Sequence, residues 1–128
     1  MPVRQLRLVV TAADYDKAVH FYRDVLGMAE RDAVAPPEGR VMILDAGVAT
    51  LEIAEPVTAE YIDQVEVGRR VAGHIRVAFQ VDDVVTSTEA LADAGGEVLA
   101  SPRPTPFRST NARVNGPAGL QLTLFQLD

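Results

Sequence analysis

Apolar and polar residues alternate along Gln5 to Val10, with Leu6, Leu8 and Val10 on one side and Gln5, Arg7 and Val9 on the other. A period of two over this length predicts a strand with one buried face. The stretch HIRVAFQVDD repeats the pattern: Ile75, Val77 and Phe79 alternate with Arg76 and Ala78, and His74 stands at the head. After each strand the period lengthens to that of a helix. In the first, Asp14 supplies an N-cap oxygen, Ala18, Tyr22 and Val25 recur at helical spacing with Phe21 beside them, and Gly27 ends the turn. In the second, Asp83 is the cap, Leu91 and Ala94 mark the apolar face, and Gly95 and Gly96 close it. Strand-like runs follow: RVMILDAG and ATLEIAE after the first helix, then EVLA, NARV and LQLTLFQL after the second. Residues 58–65 read as a short helix in the connecting stretch, and SPRPTPFRST reads as an irregular loop over one rim of the sheet.

These elements form an internal repeat. Aligned without gaps at an offset of 69, QLRLVVTAADYDKAVHFYRDVLGM falls on HIRVAFQVDDVVTSTEALADAGGE. Leu6, Leu8 and Val10 then meet Ile75, Val77 and Phe79; Arg7 meets Arg76, Asp14 meets Asp83, Asp24 meets Asp93 and Gly27 meets Gly96. The fold class expected is α+β, with two tandem βαβββ modules in one mostly antiparallel, cupped sheet. The modules span residues 1–56 and 74–128 of a single domain, 1–128, joined by residues 57–73.

Composition narrows the functions available. The 128 residues, 48% of them hydrophobic, suffice for one core. Without cysteine there is no disulfide, thiolate metal site or Cys nucleophile. A net charge of −6, with eleven arginines and one lysine scattered along the chain, argues against a nucleic-acid partner. The sequence offers neither an apolar run long enough to span a bilayer nor a signal-peptide layout at MPVRQLRLVV, so the expectation is a cytoplasmic protein without a membrane partner.

Three segments carry a resemblance to a known family. FYRDVLGM at residues 21–28, GHIRVAFQVDD at the start of the second repeat and GPAGLQLTLFQ near the end resemble the vicinal oxygen chelate superfamily, which includes glyoxalase I, extradiol dioxygenases and bleomycin-resistance proteins. The resemblance covers nearly the whole chain. It implies that the strands curl into an open cup with a metal on its floor, held by side chains from the first and last strand of each copy. Mapped by the repeat, those positions are Gln5, Glu52, His74 and Thr123. An amide oxygen, a carboxylate and an imidazole suit a divalent ion such as Zn²⁺, Ni²⁺, Fe²⁺ or Mn²⁺. Thr123 replaces a glutamate that serves glyoxalase-like members as base, so glyoxalase I turnover is not expected.

Two functions of different class follow. One is a metal-dependent lyase, isomerase or oxygenase acting on a small oxygenated substrate through Gln5, Glu52 and His74. The other is a metal-free binding protein that sequesters a small molecule, as bleomycin-resistance members do. Phe107 and Thr123 are expected to line the pocket in either case. The resemblance also implies a homodimer. His20 reads as a solvated helix residue, one of Asp82 and Asp83 as a cap and the other as exposed, and Arg69 and Arg70 as solvated or paired with nearby acids. Arg7 and Arg76 are expected on the face opposite their apolar neighbours, each paired with an acid.

Overall fold

The computed structural model describes residues 2–25 and 27–128, leaving Leu26 of the FYRDVLGM motif outside. Its strands are β1 (Gln5–Thr11), β2 (Glu30–Val34), β3 (Val41–Asp45), β4 (Ala49–Ala54), β5 (Ile75–Gln80), β6 (Glu97–Pro104), β7 (Ser109–Asn115) and β8 (Gln121–Leu127). They form one eight-stranded sheet in the order β2-β3-β4-β1-β5-β8-β7-β6. The repeat is visible in the pairing. β1 lies antiparallel to β5 at the centre, β1 pairs parallel with β4, β5 pairs parallel with β8, and the outer pairs are antiparallel.

Helix α1 (Tyr15–Val19) follows β1, and its first turn is capped by Asp14, which accepts from the Lys17 amide at 3.1 Å. Over His20–Val25 it widens into a π-helix. That turn changes the angular spacing, so Tyr15, Val19 and Tyr22 face the core with Met42, Leu44 and Ile53, whereas Phe21 and Val25 are exposed. The even helical stripe expected through Val25 therefore ends at Tyr22. α3 (Val84–Asp93) covers the other half-sheet, capped as expected by Asp83 through the Thr86 amide at 3.0 Å. Val84 and Leu91 pack there against Val81, Ala112 and Leu124.

Two strands depart from the expected pattern. β2 carries no apolar alternation because it is an edge strand, exposed at every residue. β6 runs through Pro102 and Pro104, where an irregular loop was expected. It is the opposite edge of the sheet, so a missing donor can face solvent, and its pairing with β7 shifts register twice between Val98 and Arg103.

The connecting helix α2 (Pro56–Glu66) lies across the sheet face away from α1 and α3. Pro56 suits its first turn, where an amide would be unpaired anyway. It partly covers the candidate site.

Candidate functional site

Between α2 and the sheet is a cavity of about 300 Å³, at the small end of the usual range for ligand sites. Every strand except β6 contributes a side chain, so the sheet curls around it. Its floor is set by register. Arg7 on β1 lies opposite Ala78 on β5, and Arg76 lies opposite Val9, which makes the two arginines diagonal neighbours on one face. Glu52 on β4 is also opposite Val9, and Thr123 on β8 is opposite Ala78. The repeat thus sets Arg7 beside Glu52 and Arg76 beside Thr123.

The two pairs differ in strength. Arg7 Nη1 stands 4.0 Å from Glu52 Oε1, with its guanidinium over the Phe125 ring at 4.6 Å from the centroid. Arg76 Nη1 donates to the Thr123 hydroxyl at 2.7 Å, and Thr123 in turn donates to Glu66 Oε1 at 3.2 Å. Burial pushes the Glu52 carboxyl above the ordinary glutamate value, against the pull of Arg7 and Arg76. Burial likewise pushes Arg76 down, against the nearby charge of Glu66. Both groups pay a desolvation penalty that their neighbours only partly offset.

An adjoining ionic block, joined to the floor by the Thr123–Glu66 hydrogen bond, docks α2. Arg113 on β7 is fully buried and donates to Asp63 Oδ1 at 2.8 Å, Glu66 Oε1 at 2.9 Å and Gln121 Oε1 at 2.8 Å. Asn111 Nδ2 donates to the other Glu66 oxygen at 3.0 Å. Asp63 also accepts from the Val71 and Ala72 amides and from Arg70 Nη1 at 2.7 Å. Burial alone would raise the Asp63 carboxyl; the two amides and two guanidiniums hold it below the ordinary aspartate range.

The expected site residues do not all meet. Glu52, Phe107 and Thr123 line the cavity, Phe107 packing edge-on against Tyr61 of α2 with ring centroids 6.2 Å apart. Gln5 lies outside, its side-chain oxygen accepting from Arg7 Nε at 2.8 Å. His74 is exposed, and its carbonyl accepts from the Thr11 amide at the far end of β1. Six residues of strand separate Thr11 from Gln5, roughly 20 Å. The two side chains cannot share one ion within a chain. The inward positions lie one pleat further along, at Arg7 and Arg76. The signal is their coincidence in the alignment at an offset of 69 residues. Their expected acid pairing holds for Arg7 alone, since Arg76 meets a hydroxyl.

The donor set that remains does not fit a divalent cation. Two guanidiniums stand beside Glu52, Glu66 is taken up by Arg113 and Asn111, and the described residues include no cluster of three or more His, Asp or Glu placed to hold a metal. The other candidates are surface features. His20 pairs with Asp24 at 3.0 Å, Asp82 pairs with Arg4 at 2.9 Å, and Arg70 pairs with Asp63.

Comparison with known proteins places this architecture. The pattern of the Glyoxalase/Bleomycin resistance protein/Dioxygenase superfamily matches residues 4–124. The chain belongs to that superfamily. It is 30% identical over 125 residues to a lactoylglutathione lyase of Haemophilus influenzae, covering 94% of this chain and 90% of that one. Similar solved structures include a hypothetical protein of Bacillus halodurans (TM-score 0.73, 14% identity, 95% of this chain and 92% of the other). Another is a variant of Streptomyces coelicolor methylmalonyl-CoA epimerase in complex with 2-nitronate-propionyl-CoA (TM-score 0.70, 22% identity, 98% and 99%). At such identities the two structures speak for the fold. Among the described residues, no helix is long and apolar enough to cross a membrane.

Proposed function

We propose that this superfamily member is a small-molecule binding protein whose cup works without a metal ion. The observation that carries the reading is the pair of guanidiniums on the floor, Arg7 and Arg76, at the inward positions of β1 and β5. Two fixed positive charges beside Glu52 disfavour a divalent cation there, and neither guanidinium can donate a lone pair to it. Gln5 and His74 supply no alternative, one being hydrogen-bonded to Arg7 and the other exposed at the opposite end of the strand pair.

The lactoylglutathione lyase relative raises the question of the same reaction here. Moving a proton between adjacent carbons of a metal-bound substrate needs a second carboxylate at the position the repeat relates to Glu52, and there Thr123 offers a hydroxyl already engaged with Arg76 and Glu66. Turnover of methylglyoxal hemithioacetal should be negligible with or without added Zn²⁺ or Ni²⁺.

Metal analysis and calorimetry test the reading together. Protein purified without chelators should carry no stoichiometric metal, and titrating Zn²⁺ or Ni²⁺ into the chelator-treated protein should give no saturable heat. One equivalent of metal, lost in Glu52→Ala, would overturn it.

A further inference from the structure

The two guanidiniums of the cavity floor are paired less closely than those of the ionic block beside it. In that block Arg70 and Arg113 face Asp63 and Glu66, two charges against two. On the floor Arg7 reaches Glu52 at 4.0 Å, while of the other two acids lining the cavity Glu66 is engaged by Arg113 and Asn111 and Asp32 stands on the exposed edge strand. Arg113 has an anionic partner for each arm of its fork, whereas Arg76 is 9% exposed and its hydrogen-bonded partner is the neutral Thr123 hydroxyl. No carboxylate stands within ion-pair distance of Arg76 among the described residues. A cation so placed is held at a cost that an anion would relieve. The contact from Arg7 to Glu52 is itself long, which leaves the Arg7 terminal nitrogens turned toward the cavity without a short hydrogen bond.

Resting on the metal-free reading above, we infer that the ligand of this cup is a small carboxylate, its charged end held by Arg7 and Arg76 and its apolar part toward Val41, Ile43 and Phe107. The planar fork of a guanidinium matches the two oxygens of a carboxylate, so diagonal arginines can share one such group. Part of the remaining wall is suited to hydrocarbon: Val41 and Ile43 on β3, and the edge-on Tyr61–Phe107 pair. The overall charge of −6 does not oppose this, because Glu66, the acid that Thr123 links to Arg76, is engaged by Arg113 and Asn111 and the site is local.

The probes are acetate, butyrate, hexanoate and benzoate, with butanamide as the uncharged match for butyrate, each titrated at millimolar concentration into chelator-treated protein. At least one carboxylate should bind, butyrate about tenfold more tightly than butanamide, and Arg76→Gln should reduce that preference to near unity. Side-chain ¹⁵N spectra of the unmodified protein give a readout independent of any variant's folding. The Arg7 and Arg76 Nε resonances should move with butyrate and stay with butanamide. Equal binding of amide and acid, unmoved arginine resonances, or no carboxylate bound with or without Zn²⁺ would each overturn the assignment, leaving the metal-free reading to its own titration. Carboxylate binding that appears only once Zn²⁺ is restored would overturn the metal-free reading instead.

Discussion

Arg113 shows what a single residue holds in this molecule. Its guanidinium, without solvent contact, ties β7 to two acids of α2 and to Gln121 of β8. Truncating one member of such a set leaves its partners charged and buried, which costs more than the set contributes to stability relative to an apolar replacement of every member. Arg113→Met should therefore lower stability by about 3–5 kcal/mol, read as a drop in urea midpoint. Arg113→Lys should fall between the two, since one ammonium keeps the charge and loses the fork. Arg113 lies in NARV, a run whose alternation gave the strand and no more, because pairing with Asp63 and Glu66 arises from contacts 50 and 47 residues apart. By contrast, Asp14 and Asp83 were legible as caps, since the amides they accept from are three residues away.

At the scale of elements, α2 turns a curled sheet into a partly covered cavity, and its entry is fixed by a tight approach. Thr58 donates to the Glu38 carbonyl at 2.9 Å, and a Cβ on Gly39 would collide with the Thr58 hydroxyl and lie 2.8 Å from Val57 Cγ1. Gly39 also has φ +103°. Gly47, in the β3–β4 turn, has φ +74° with nothing within 4 Å of the same construction. Gly47→Ala should then cost about 1–2 kcal/mol from backbone strain alone. Gly39→Ala should cost distinctly more and loosen α2, measurable as faster amide exchange over residues 56–66; equal costs would show that α2 yields freely at its start. The sequence pattern located α2 to within two residues at its N-terminus and one at its C-terminus. It could not locate β2 or the full length of β6, because an edge strand need not bury alternate residues and can tolerate proline. Nor could alternation alone place the site. A period of two tells which face a side chain takes, and depth along the strand comes from pairing across β1 and β5.

For the molecule as a whole, opposing carboxyl shifts predict the shape of its stability against pH. Asp63 is held below its ordinary 3.8 by two amides and two guanidiniums against burial, and Asp24, bonded to Arg23 and His20, falls to about 2. Groups depressed in the folded state contribute stability that is present above the unfolded value and is lost as pH falls through the folded one. Glu52 runs the other way. Its carboxyl is raised by burial above 4.5, so its favourable contribution is complete below that value and is lost as pH climbs through the folded one. Acid therefore removes the contribution of the aspartates, and a rise toward neutrality exposes the cost of an ionised Glu52. Stability should peak in the acidic range, between the ordinary aspartate and glutamate values, and decline as pH climbs through the folded value of Glu52. Glu52→Gln removes the titrating group while keeping its size, so the variant should match the parent near the acid end and exceed it increasingly as pH rises, levelling off once Glu52 is ionised. Urea denaturation of both proteins from about pH 3 to about pH 8 decides the matter. Parallel curves would mean that Arg7 and Arg76 already repay the burial of Glu52. In that case the floor would carry less uncompensated positive charge, and the preference for a carboxylate over its amide should shrink with it.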